Sequence, residues 1–354
     1  MQSHWRKFWR TALSITLGGG LLLYAAILLV DPFDALSFSL PVERAPVVTN
    51  QRYSFPALAR KDRFDSAVIG TSTTRLLRPA NLDRSLGGSF VNLSMNSGTA
   101  WEQAQILDLF RRHHPSPRTV IIGMDIVWCR VEAEYEKLTF RPFPPWLYDD
   151  NPWNDLLHHF DLKTIEQAAL QLAYITGLQP ARRGLDGYTN FLPPRSEYDL
   201  ARARGHIYGQ PEPKPFEPVV PPVDIDPATR NSWVYASHAL LAEMLAELPD
   251  ETTKILLLVP YHRYNQPRPG SEAAAQLEEC KRRLTEMAAT RPNGHVVDFM
   301  IDSEITRRDE NYWDVLHYGV DVAARLADLI AEAAAGRADR DDLYRYLTPS
   351  RFGE

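Results

Sequence analysis

The chain has 354 residues, 44% hydrophobic and 24% charged, which suits a sizeable buried core and excludes a wholly disordered polymer. A formal net charge of −6, with no basic block outside the extreme N-terminus, gives no general attraction for nucleic acid. Two cysteines, Cys129 and Cys280, without a Cys-x-x-Cys, exclude a disulfide-dense scaffold and a thiolate zinc site but leave room for one disulfide.

The first expected element is a membrane anchor. A basic tail over residues 1–11, with Arg6, Lys7 and Arg10, precedes an uncharged stretch over 12–30 that ends at Asp31-Pro32. Nineteen residues at a rise of about 1.5 Å reach roughly 28 Å, close to the thickness of a bilayer's hydrocarbon. Positive charge stands before the stretch, and Asp31 and Asp34 follow it. The N-terminus is therefore expected in the cytoplasm of a single-pass inner-membrane protein, with the main domain exported. A cleaved signal peptide is the rival reading, but its apolar region runs only about 7–15 residues and ends in a small-x-small site.

Residues 31–61 read as a tether or a packed lead-in, and 62–354 as one α/β domain. Five apolar runs are expected as strands: Ser66–Gly70, Ser89–Ser94, Thr119–Met124, Lys254–Pro260 and His295–Met300. Such continuous runs suit a parallel sheet covered on both faces. Amphipathic stretches at Thr99–His113, Asn231–Leu248, Ser271–Ala289 and Gly319–Ala335 alternate with them. That alternation implies a doubly wound sheet with ligands at the carboxyl ends of the strands. Cys280 shares a helical stripe with Leu277, Leu284 and Met287, and reads as a core residue. Between the third and fourth strands, a proline- and aromatic-rich insertion spans about 128–230, with a helix expected at Leu162–Ile175. It reads as a lid or a partner surface.

Two places carry candidate chemistry. Gly70-Thr-Ser-Thr-Thr-Arg75 follows the first strand. Ser72 there is either an exposed nucleophile or, like Thr71 and Thr73, a cap of the next helix. Asp314-Val-Leu-His317 stands before the last helix and offers a general base with an orienting carboxylate. Asp155-Leu-Leu-His158 has the same spacing but lies in the insertion, where His158 and His159 read as surface residues. His262 reads as a pocket-lining or a solvated loop histidine. Arg75 is a candidate to bind an acidic group or to pair with Asp125. Trp128, Trp146, Trp153 and Trp313 are candidates for a sugar-binding platform or for packing. No Gly-x-Gly-x-x-Gly or Walker pattern occurs and the histidines lack metal spacing, so neither cofactor nor metal is expected.

A Gly-x-Ser turn after the first strand and an Asp-x-x-His before the last helix resemble blocks one and five of the SGNH (GDSL-like) hydrolase superfamily. The likeness covers roughly residues 65–330 apart from the insertion. The anchor resembles the membrane-tethered branch, which includes DltD-like and exopolysaccharide O-acylation proteins. The resemblance implies a flavodoxin-like three-layer fold with Ser72 as nucleophile, His317 as base and Asp314 as its partner. The implied activity is that of an esterase or O-acyltransferase on an envelope polysaccharide or wall polymer, with a membrane protein as acyl donor. For the oxyanion hole it points to Gly98, with the Asn96 side chain as alternative. The superfamily's Gly-x-Asn is here Gly123-Met-Asp125, and an ionised Asp125 cannot donate to an oxyanion. That departure favours a second reading, a non-catalytic envelope protein of the same fold that binds polymer or an assembly partner.

Overall fold

The computed structural model describes residues 2–336, 339–340 and 342–353, with only the backbone described at 2 and 3. Its centre is a six-stranded sheet: β1 (Ser66–Ile69), β2 (Phe90–Asn92), β3 (Thr119–Met124), β4 (Thr253–Leu258), β5 (Gly294–Asp298) and β6 (Arg345–Tyr346). The order is β2-β1-β3-β4-β5-β6. The first five strands run parallel, and β6 pairs antiparallel with β5. In β1 and β3 every residue is buried, as expected where helices cover both faces. The chain is thus an α/β protein with a mostly parallel sheet. Only β6, two residues without an apolar run, escapes the hydrophobic pattern.

The helices fall into two packed groups. Ala100–His113, Ser237–Ala246 and Glu272–Ala289 form one, and Pro79–Leu86 with Val320–Ala334 forms the other. Local chemistry sets their starts. Thr99 and Glu102 form a reciprocal capping box, and the Ser271 hydroxyl accepts from the Ala274 amide. The helix expected from Asn231 begins only at Ser237, because a separate short helix, Pro227–Ser232, is capped by Asp226.

Two compact units emerge: Met1–Ala57 with Phe143–Leu185, and Leu58–Pro142 with Asp186–Glu354. The segment expected as one insertion is therefore shared between them. In the smaller unit, Gln2–Val30 is one continuous helix, so the basic residues stand on it and not on a separate tail. From His4 to Val30 it is long and apolar enough to cross a membrane. Ile27 and Val30 pack on Ala168 and Ile165 of the Leu162–Ile175 helix. Of the two readings for the stretch that follows, residues 31–57 take the packed one. Phe33, Leu36, Val47, Val48 and Phe55 are buried, and the Arg44 guanidinium donates to the Val30 carbonyl at 2.8 Å and pairs with Asp34 at 3.2 Å.

Candidate active site

The turn that carries Ser72 is shaped by what fills the end of the sheet. β1 stops at Ile69, and the chain turns through Gly70–Thr73 into a 3-10 turn, Thr74–Leu76. The Thr74 side chain lies between the ends of β1 and β3. A Cβ on Gly70 would stand 2.2 Å from Thr74 Oγ1, and one on Gly123 would stand 2.4 Å from Thr74 Cγ2. Both glycines are thus required by close approach. Thr74 Oγ1 lies 2.9 Å from Ser94 Oγ, and Asn92 Nδ2 donates to the carbonyls of Thr74 (2.9 Å) and Leu77 (2.8 Å). Thr73 stands at the cap position but makes no side-chain capping bond, and the Ser72 hydroxyl is engaged elsewhere.

That engagement is with His317. Ser72 Oγ lies 2.9 Å from His317 Nε2, across 245 residues of sequence. His317 Nδ1 lies 2.7 Å from Asp314 Oδ2, and Asp314 Oδ1 accepts the amides of Leu316 (2.8 Å) and His317 (2.9 Å). Burial would raise the Asp314 carboxyl. The hydrogen bond and charge of His317, with the two amides, outweigh it and hold the group below the ordinary carboxylate value. An ionised Asp314 fixes the proton on Nδ1, which leaves Nε2 as an acceptor facing the serine hydroxyl. Ser72, His317 and Asp314 thus stand in hydrogen-bonding sequence at the carboxyl end of the sheet.

Buried tyrosines hold the two loops together. Tyr318 OH donates to the Thr73 carbonyl at 2.7 Å, tying the residue after His317 to the residue after Ser72. Tyr312 OH donates to the Pro260 carbonyl at 3.0 Å, and the His262 amide donates to the Val315 carbonyl at 3.0 Å. His262 is neither solvated nor pocket-lining. It is fully buried, with Nε2 3.2 Å from Asp309, a carboxylate that also accepts from Tyr208 OH and Arg204 Nε. Burial lowers its proton affinity, and Asp309 opposes that. Its place is in the support of the histidine loop.

Asp125 and Arg75 do not pair. One Asp125 oxygen accepts the Thr71 hydroxyl and the other accepts the Val127 amide at 3.2 Å. Burial raises its carboxyl from the ordinary 3.8 to about 6, against these two bonds and the charge of Arg130. Arg75 donates to Asn96 Oδ1 and stacks 4.7 Å over the Phe191 ring, whose neighbour at 5.2 Å is the His317 ring, met edge-on. Phe191 belongs to the segment read as an insertion, and no motif marked it. Arg75 fixes the sense of the Asn96 amide, with oxygen toward the guanidinium and nitrogen turned away from it. The Gly98 amide donates to the Met95 carbonyl at 3.0 Å, so it is used inside its own turn.

Several sequence candidates fall elsewhere. Asp155 is buried, and His158 is exposed and stacks on Trp146 with ring centroids 4.9 Å apart. His159, expected at the surface, is fully buried, its Nδ1 2.7 Å from the Asp155 carbonyl and its Nε2 3.4 Å from Asp31. Trp128 is buried and donates to Gln103, Trp146 is buried, Trp313 is half-buried and Trp153 is exposed. Cys129 and Cys280 form a disulfide with Cα atoms 5.4 Å apart. No group of metal-ligating side chains occurs among the described residues.

Beside the triad is a cavity of about 620 Å³ lined by Met124, Ile126, Leu258, Leu277, Met300 and Leu316. None of the three triad residues lines it. Asp125, bonded to the neighbour of Ser72, and Leu316, the neighbour of His317, both do. The strand ends that carry Met124 and Leu258 belong to the same sheet edge as the serine turn. Protein-family models and curated proteins were compared with the chain, and none matches it.

Proposed function

We propose that this protein is a membrane-anchored, extracytoplasmic serine esterase or O-acyltransferase of SGNH type. It acts on an ester-linked acyl group of an envelope polysaccharide or wall polymer through an acyl-Ser72 intermediate. The reading is carried by one observation, the 2.9 Å contact between Ser72 Oγ and His317 Nε2 with Asp314 behind the ring. The strand order supports a flavodoxin-like sheet, whose ligands gather at the carboxyl edge. The disulfide supports an oxidising, exported location, in agreement with basic residues before the apolar helix and Asp31 and Asp34 after it.

In this mechanism Ser72 Oγ attacks the ester carbonyl as its proton passes to His317 Nε2. The imidazolium, stabilised by Asp314, returns the proton to the departing alcohol oxygen. Water, or a hydroxyl of the acceptor sugar, then gives its proton to His317 as it attacks the acyl-serine, and the acyl–Oγ bond breaks as His317 returns that proton to Ser72 Oγ. The Asn96 amide nitrogen is the oxyanion donor that Asp125 cannot be, and the cavity beside Leu316 takes the acyl chain. A membrane partner protein supplies the acyl donor when the reaction is transfer.

The position of Asp125 favours a second reading, an anchored polymer-binding protein of the same fold. Fluorophosphonate labelling of the intact protein separates the two. Label on Ser72, lost in His317→Ala and kept in His158→Ala, is expected of the enzyme. A folded protein that takes no label is the binding protein. Products formed from acyl donor and saccharide together then divide transfer from hydrolysis.

A further inference from the structure

The smaller unit carries an apolar surface that the proposed chemistry does not use. Four large apolar side chains within ten residues are strongly exposed: Trp153 at 74%, Leu157 at 82%, Phe160 at 63% and Leu162 at 86%. They sit on Pro152–His158, on the start of Leu162–Ile175 and on the corner between them. A soluble surface seldom concentrates such residues without a partner. The corner also holds a fixed place against the apolar N-terminal helix. Tyr24 OH donates to the Leu156 carbonyl at 2.7 Å, and the Tyr24 and Phe160 rings meet edge-on at 5.5 Å.

Those contacts set a depth. Tyr24 precedes Val30 by six residues, or about 9 Å along the helix. From Trp5, beside Arg6 and Lys7, to Tyr24 is nineteen residues, or about 28 Å, close to one hydrocarbon thickness. Whether the outer boundary of the bilayer lies at Tyr24 or at Val30, the corner is at that boundary or less than a helix diameter below it. The polar groups there suit such a position. His159 and Asp155 are buried, and Asp161 accepts the Thr164 amide at 2.7 Å.

We infer that the 152–162 corner is a second membrane contact, seated in the outer headgroup and acyl boundary beside the spanning helix. Its occupant is lipid. The inference rests on the reading of Gln2–Val30 as a span and is independent of the serine chemistry. Trp153, Tyr24 and Phe160 then form an aromatic belt on the outer side, as Trp5, Phe8 and Trp9 do on the inner side.

The test is depth measurement on full-length protein in vesicles of phosphatidylcholine and phosphatidylglycerol, with the native disulfide intact. Single spin labels are placed by Leu157→Cys and Leu162→Cys, with Leu21→Cys as span reference and exposed Glu212→Cys as aqueous reference. Relaxation by oxygen relative to a water-soluble nickel chelate should be several-fold higher at 157 and 162 than at 212. Labels at 157 and 162 that behave like 212, while 21 is lipid-exposed, overturn the second contact and leave the span standing. If 21 also behaves like 212, the span reading fails and takes this inference with it.

Discussion

Asp125→Asn tests the electrostatics of the site most directly. The carboxyl is buried and held at about 6, against 3.8 in an exposed chain. Between these values the folded state binds the proton that the unfolded state has released. Stability from this group is therefore fully present below about pH 4 and is lost as pH rises through about 6. At about 1.4 kcal/mol per tenfold change, ionisation costs roughly 3 kcal/mol at pH 8 and less than about 1 kcal/mol at pH 4. Asparagine removes that dependence. It also loses one of two accepted hydrogen bonds, from Thr71 or Val127, at about 1 kcal/mol independent of pH. The variant should gain about 2–3 kcal/mol relative to wild type on going from pH 4 to pH 8, a differential shift on the order of 5 °C in melting temperature. Parallel melts of both proteins across that range measure it, and groups common to both cancel. A constant offset between the two curves would show that Asp125 is not held with a raised proton affinity, and the account of this position would be wrong.

Four further outcomes follow from the structure. Asp314→Asn should slow fluorophosphonate labelling of Ser72 by about 10³–10⁴-fold by disturbing the histidine tautomer. Because Asp314 is held low, the acid limb it gives to wild-type labelling should lie below the ordinary carboxylate value. Leu277→Trp places an indole in the 620 Å³ cavity, and hydrolysis of an octanoyl ester should fall by about tenfold or more relative to an acetyl ester; equal losses on both esters would remove the acyl chain from that cavity. Replacing Cys129 and Cys280 by serine opens a link across 151 residues, and the urea midpoint should drop by the equivalent of about 2–5 kcal/mol.

The sheet was legible because its strands are apolar on both faces. The runs expected at 66–70, 119–124 and 254–260 reappear as β1, β3 and β4 with ends shifted by two residues at most. The helices at 100–113, 162–175, 272–289 and 320–334 lie within the stretches expected to be helical. Side-chain burial in polar clusters was not. His159 and His262 look like surface residues in sequence because their partners, Asp31 and Asp309, lie 128 and 47 residues away. Phe191 sits in a stretch without periodicity, and its place against His317 depends on a chain path that no local pattern encodes.

The site also shows why motif residues were readable and their supports were not. A hydroxyl, an imidazole and a carboxylate announce themselves by type and spacing. The bonds that hold them in register end on main-chain carbonyls: Tyr318 on Thr73, Tyr312 on Pro260, and the His262 amide on Val315. A carbonyl is the same at every position, so the sequence carries no sign of which one a tyrosine will meet. These three bonds link the Ser72 turn, the end of β4 and the histidine loop, which are far apart in the chain. The two tyrosine bonds are buried, where an unmade bond is costly. The serine–imidazole distance is therefore set by the packing of two tyrosines and a histidine beneath the loop, and not by the triad residues alone.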